Sequence, residues 1–205
     1  MPKRSNGFIL GANYHIFNRG TNKMQIYNTI KDYLRFESVI NYYRYERQTS
    51  YSIWKEYSKK SREEKSPKGR VLVRIFAICL MPNHFHLQLQ EDYPGGISRF
   101  MHRVSNSYAH YYNMKYGRTG SVFQNRFSSV GARSHNHAVY TSAYIHRNPI
   151  EAQIVKDESE LIRYRFCSLG HYAGAFRKEY IADEYIMSFF EGREDYLQYV
   201  FRTRS

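Results

Sequence analysis

His84 and His86 stand one residue apart in the run Met81-Pro82-Asn83-His84-Phe85-His86-Leu87-Gln88-Leu89-Gln90, where polar and apolar residues alternate. In a strand of period two, both imidazoles leave one face while Phe85, Leu87 and Leu89 leave the other. Two imidazoles aimed the same way from a rigid strand are a pair of metal ligands that needs a third group from a neighbouring element. The segment Tyr144-Ile145-His146-Arg147-Asn148-Pro149 offers one. Tyr144 and Asn148 lie four residues apart, hence on one face of a helix. The Asn148 carbonyl oxygen suits a hard divalent cation, and the Tyr144 phenol lies beside it. A site of two nitrogens and one oxygen leaves coordination positions for a phosphate oxygen and water, which is Lewis-acid chemistry on a phosphodiester. A tyrosine with a pKa near 10 is a weak nucleophile, but attack on a polarised phosphorus would form a covalent intermediate that conserves the bond energy. Cleavage would then become reversible strand transfer.

The same residues have plainer uses. An isolated His-x-His strand also serves as a solvated polar face, and Tyr144, like its neighbour Tyr140, can pack its ring on a sheet. Asn148 precedes Pro149, and the residue before proline is disfavoured in helical geometry. His15, His102, His110, His135, His137, His146 and His171 read as surface or satisfied polar residues, and none is assigned to the metal.

The elements that must position these groups fit 205 residues, enough for a core domain at 1–155 with an appendage at 156–205. A net charge of +13 favours a polyanionic partner such as nucleic acid over an anionic membrane. No stretch is long and apolar enough to span a bilayer, and the basic start Met-Pro-Lys-Arg-Ser-Asn-Gly leads into no apolar signal core. A cytoplasmic protein is expected. Cys79 and Cys167 lie in apolar or aromatic sequence and read as buried free thiols. The 21 tyrosines suit half-buried packing and stacking on unpaired bases alike.

Residues 13–18 read as a first strand, followed by a helix capped at Asp32 that buries Tyr33, Phe36, Val39, Ile40 and Tyr43. Residues 46–70 are polar and basic with little periodicity, a mobile insertion with one helical turn near Trp54. Val71 to Leu80 is a buried strand, turned back by Met-Pro-Asn into the histidine strand. Ile97, Phe100, Met101, Val104, Tyr108, Tyr111 and Tyr112 mark a second helix ending at Gly117. A short strand at Phe127–Ala132 and a third helix at 135–148, ended by Pro149, complete the order β-α-β-β-α-β-α. That order is an α+β, ferredoxin-like split βαβ antiparallel sheet with helices on one face, here with one added helix and a C-terminal helical appendage.

In order along the chain come Tyr14-His15-Ile16 with Asn18-Arg19-Gly20; Met81 to Leu87; Gly120-Ser121-Val122-Phe123-Gln124-Asn125-Arg126-Phe127; Tyr144 to Pro149; and Tyr164-Arg165-Phe166-Cys167-Ser168-Leu169. On these motifs the chain resembles the REP-associated tyrosine transposases, a branch of the IS200-like single-tyrosine HUH transposases. The resemblance implies a nuclease that binds single-stranded DNA beside a hairpin or palindromic repeat. It casts Tyr144 as the nucleophile that forms a 5′-phosphotyrosine link and releases a 3′-OH, with His84, His86 and Asn148 holding Mg²⁺ or Mn²⁺. The insertion at 46–70 and Phe166-Cys167, in place of a tryptophan followed by serine, depart from the pattern.

Candidate DNA contacts are Arg126 between Phe123 and Phe127, Arg19, Arg118, the tract containing Lys55, Lys59 and Lys60, and an N-terminal arm with Lys3 and Arg4. A monomer is favoured, because the aromatic C-terminal segment can cover a sheet edge that a dimer would use. Alternatives are a hairpin-binding protein that has lost cleavage, a rolling-circle or relaxase-type initiator, and an RNA-binding module. The last fits the charge but gives no reason for the metal constellation.

Overall fold

Alternating residues in four short segments pair into one antiparallel sheet. The structure is a computed structural model and describes residues 7–61 and 69–202. The strands are β1 (Asn13–Arg19), β2 (Val73–Met81), β3 (His84–Glu91) and β4 (Ser128–Gly131), arranged β2-β3-β1-β4 with every neighbouring pair antiparallel. With helices α1 (Ile30–Tyr43) and α3 (Gly96–Tyr116) as the two crossovers, this is the ferredoxin-like arrangement. Both crossover helices share one face of the sheet. There Phe36 of α1 meets Phe85 of β3 at 5.0 Å and Tyr108 of α3 at 4.9 Å between ring centroids. Phe85, Leu87 and Leu89 are all fully buried on that side, each contributing about 1.5–3 kcal/mol of apolar burial. The added helix, α4 (His135–Glu151), covers the opposite face, where Gln88 donates from Nε2 to the Ala138 carbonyl at 2.8 Å.

Three local readings differ from the structure. The N-cap of α1 is Thr29, not Asp32; Asp32 sits three residues on and accepts the Thr29 backbone N–H at 2.8 Å, the reciprocal half of a capping box. The basic stretch holds more helix than one turn: α2 runs Tyr51–Ser61, because Tyr51 and Trp54 pack edge-on and tilted against Tyr42 of α1 with ring centroids at 5.5 and 4.9 Å. Two aromatic contacts on an otherwise solvated helix leave little periodicity to read. Residues 62–68 of that stretch, and Lys3 and Arg4, lie outside the described residues. Pro149 does not end α4, which continues to Glu151. A proline one turn from a helix end forfeits a single backbone bond, and here Arg147 ties that turn to Glu151 at 3.2 Å and to the Phe201 carbonyl at 2.9 Å.

Chain beyond α4 forms α5 (Glu158–Arg163), α6 (Leu169–Tyr172), α7 (Glu184–Met187) and α8 (Arg193–Arg202). Between them the backbone completes the outer edge of β2. Leu80 N–H donates to Phe166 O at 2.8 Å, Ser168 N–H to Ile78 O at 2.9 Å and Ala182 N–H to Ile75 O at 2.9 Å. These bonds satisfy donors and acceptors that an open edge would expose. Cys79 and Cys167 face each other across this seam as buried free thiols. A polar network closes the layer beneath. The Tyr196 hydroxyl of α8 meets Ser142 Oγ and His146 Nδ1 of α4, both at 2.7 Å, and His146 Nε2 meets Ser168 Oγ at 2.6 Å. His146 is thus a fully buried and fully satisfied histidine.

Asp32 is the polar hub of the other helical layer. Fully buried, it accepts from Lys115 Nζ at 2.6 Å, Tyr116 Oη at 2.7 Å and Tyr111 Oη at 2.9 Å, besides the backbone of Asn28 and Thr29. Burial pushes its carboxyl upward, but the bonds from Lys115, Tyr116 and Tyr111 outweigh that and bring the pKa down to about 2. Asp32→Ala strands all these donors and is expected to cost about 3–5 kcal/mol in chemical denaturation. A loss below about 1 kcal/mol would show that water replaces the carboxylate freely.

Candidate active site

β3 presents His84, His86 and Gln88 to the face covered by α4, and β1 adds Phe17, His15 and Arg19 to the same face. The register pairs Arg19 with His84, Phe17 with His86 and His15 with Gln88. Side chains paired across an antiparallel ladder share a face, so the sheet gathers three imidazoles and a guanidinium. His86 is buried and lies 5.0 Å from His84, ring to ring, edge-on. α4 lowers Tyr144 onto this patch: its half-buried ring stands edge-on to His86 at 6.0 Å and to His15 at 5.7 Å. Asn148, one turn further, is buried and donates from Nδ2 to the Tyr144 carbonyl at 2.8 Å. The sheet and α4 therefore set Tyr144 against His86 and His15, with His84 beside His86 and Asn148 one helical turn from Tyr144.

Each candidate ligand is held by a different neighbour. His84 Nδ1 lies 2.6 Å from Asn83 Oδ1, His86 Nδ1 lies 2.8 Å from His15 Nε2, and the Asn148 amide is anchored through its nitrogen. The ends left over are His84 Nε2, His86 Nε2 and Asn148 Oδ1. Of these, His86 Nε2 is buried with no hydrogen-bond partner, a condition that costs about 1–3 kcal/mol unless something binds it. An orphaned buried nitrogen beside a second imidazole, with an amide oxygen one helical turn from the tyrosine that packs on them, is a donor set that fits a divalent cation of borderline hardness. Among the described residues, no three histidine, cysteine, aspartate or glutamate side chains are arranged to hold a metal ion together, so a site built on His84 and His86 would take a further ligand from a group such as the Asn148 oxygen.

The electrostatics agree with a cation site. Burial lowers the pKa of all three histidines: His15 to about 4, His84 downward with further help from Arg19, and His86 well downward with help from His15 and His84. All are neutral at neutral pH and offer lone pairs rather than charge. The Tyr144 phenol is pushed up, first by burial and then by Glu151, against the hydrogen bond from Asn148. It remains a phenol at neutral pH until a nearby positive charge assists it.

The basic candidates divide. Arg19 is exposed on the histidine face, and the loop carrying exposed Arg126 runs beside it, with Gln124 N–H donating to Arg19 O at 2.9 Å. Arg118, exposed after α3, contacts Met24 Sδ at 2.9 Å. Lys55 is exposed on α2 and lines an open groove of about 900 Å³ with Lys31, Arg35, His110 and Lys115, on the far side of the sheet from the histidines. Lys59 and Lys60 belong to α2, but their side chains lie outside the described residues. His15 is the residue that sequence reading passed over. It reads from the sequence as a surface or satisfied polar residue, and it is satisfied, but by His86, 71 positions away, which the sequence does not reveal. The available signal was its place in β1, alternating in phase with Phe17 and Arg19.

A family model described as "Transposase IS200 like" matches residues 38–148, more than half of the chain, and that span contains His84, His86, Tyr144 and Asn148. No curated protein sequence matches the chain. Among solved structures, a REP-associated tyrosine transposase bound to a REP hairpin superposes with a TM-score of 0.57 at 16% identity, over 85% of this chain and 86% of that one. At that identity the likeness establishes a shared fold.

Proposed function

Because this chain belongs to the IS200-like transposase family, we propose that it is a metal-dependent, site-specific single-stranded DNA endonuclease and strand transferase acting beside a hairpin or palindromic repeat. The supporting observation is the edge-on packing of Tyr144 against the ring of His86, whose buried Nε2 has no hydrogen-bond partner. In this reading the Tyr144 oxygen attacks the scissile phosphorus, a Tyr–O–P bond forms, the P–O3′ bond breaks, and the phenolic proton ends on the released 3′-OH. Attack by another 3′-OH on the 5′-phosphotyrosine reverses the exchange and frees the tyrosine. His84, His86 and Asn148 would hold Mg²⁺ or Mn²⁺. When bound, that ion supplies Lewis-acid stabilisation of the charge on the phosphate. Arg19, across the ladder from His84, is placed to neutralise a second phosphate oxygen, and Arg126 to hold the flanking backbone.

A hairpin partner is drawn from the solved transposase, which is bound to a REP hairpin. The covered edge of β2 favours a monomer in which residues 1–155 carry the chemistry and 156–205 brace it. The reading is tested by incubating the protein with labelled single-stranded DNA that carries a hairpin from repeats flanking its gene, in Mg²⁺, Mn²⁺ or EDTA. A protein–DNA adduct that resists denaturation is expected with either metal and is expected to fall to background in EDTA. Tight hairpin binding with no adduct under any condition would replace this reading with a binding protein that has lost cleavage.

A further inference from the structure

We propose that His15 is a positioning residue that holds His86 in the Nδ1–H tautomer and so turns the Nε2 lone pair toward the bound cation. This rests on the metal-site reading above and adds a residue to it. His15 Nε2 and His86 Nδ1 are 2.8 Å apart, and their rings lie at 27° with centroids 5.0 Å apart, so one nitrogen carries the proton and the other accepts it. If His15 donated, the His86 proton would sit on Nε2, a buried N–H with no acceptor. If His86 donates, Nε2 is a buried lone pair, and a cation is the partner that satisfies it. The second arrangement is the one that leaves no orphan once the ion is in place.

The backbone favours this division of labour. β1 and β3 are directly paired, and His15 reaches His86 diagonally, two residues along from the Phe17–His86 pair. Two paired strands fix both Cα positions, so His15 can lock the ring of His86 without a loop that must first be ordered. His15 is not a third ligand: its Nε2 is already engaged with His86, and among the described residues no three such side chains are arranged to hold a metal ion together. Asn83 does the same for His84 at 2.6 Å. A hydrogen-bond acceptor behind a ligating imidazole raises its basicity and fixes its orientation, and losing one typically weakens metal affinity about 10–100-fold.

The test measures Mn²⁺ binding to the whole protein without DNA, by the paramagnetic signal of free Mn²⁺, for wild type, His15→Phe, His15→Gln and His86→Ala. His15→Phe keeps the ring but removes the acceptor and is expected to weaken binding about 10–100-fold. His15→Gln places an amide oxygen near the lost nitrogen and is expected to recover most of that affinity, which a merely space-filling role would not do. Nitrogen-15 spectra of metal-free wild type should show His86 protonated on Nδ1, a readout that needs no variant to fold. An Nε2–H tautomer there, or unchanged Mn²⁺ affinity in His15→Phe while His86→Ala abolishes binding, would overturn the role of His15 alone. Binding that survives His86→Ala would instead remove the metal site, and the proposal with it.

Discussion

Tyr144→Phe is expected to reduce covalent adduct formation by about 10³-fold or more while leaving hairpin affinity within about twofold, since it removes the attacking oxygen and little else. The ring stays edge-on to His86 and His15, and the residue is half-buried, so stability should change by less than about 0.5 kcal/mol. Tyr140, one turn earlier, is exposed, whereas the Tyr144 ring stands against His86 and His15. The assay is the denaturation-resistant adduct, run beside a gel-shift titration of the same hairpin. If the adduct persists in Tyr144→Phe and disappears in Tyr140→Phe, the nucleophile has been assigned to the wrong turn of the helix.

Acid lability should begin near pH 6.5, well above the carboxylate range. Burial holds His146 at about 3 against an ordinary 6.5, with a smaller contribution from His171. Its folded pKa lies below the unfolded one, so the neutral ring costs nothing above pH 6.5. As pH falls from there toward 3, the unfolded chain binds a proton that the native state refuses, and stability drops by about 1.4 kcal/mol per pH unit, about 5 kcal/mol across the window. His15, held at about 4, steepens the same fall between 6.5 and 4. Asp32 acts in a separate window: its stabilisation is complete above about 3.8 and is lost as pH falls through about 2. Denaturant midpoints from pH 7.5 to 4.5 check this. In His146→Gln the slope should be shallower by about one proton, even though the protein starts less stable at pH 7.5. An identical slope would mean that His146 is protonated in the native state.

The sheet was legible because each strand carries its own pattern. Alternation around His84 and His86, the turn at Pro82-Asn83, and the 3.6 periodicity from Ile97 to Tyr112 each predict an element that the fold contains. Gly117 ends α3 in the left-handed region at φ 58°, as its type suggested. At the candidate site, the residue types of His84, His86, Tyr144 and Asn148 suggested a chemistry, and the fold packs α4, which carries Tyr144 and Asn148, on the face of β3 that carries the two histidines. What stayed hidden depends on partners far along the chain. His15 reads as an ordinary polar strand residue until β1 pairs with β3. α2 reads as a charge run because its buried contacts are the rings of Tyr51 and Trp54. Ser168 and Tyr196 look like loop and surface residues until both meet His146. Local propensity carries no information about such pairs, since tertiary context alone creates them.

The bond between Tyr196 and His146 joins residues 50 positions apart. Synthesis runs from the N-terminus, so α4 emerges and can fold well before α8 exists to receive it. In that interval His146, two residues from the nucleophile and two from Asn148, has a nitrogen without its native partner, and the helix lacks its brace through Arg147 to the Phe201 carbonyl. A growing chain therefore reaches its cutting geometry late. On the proposed reading, cleavage competence would follow synthesis of the stretch around residue 200 rather than precede it.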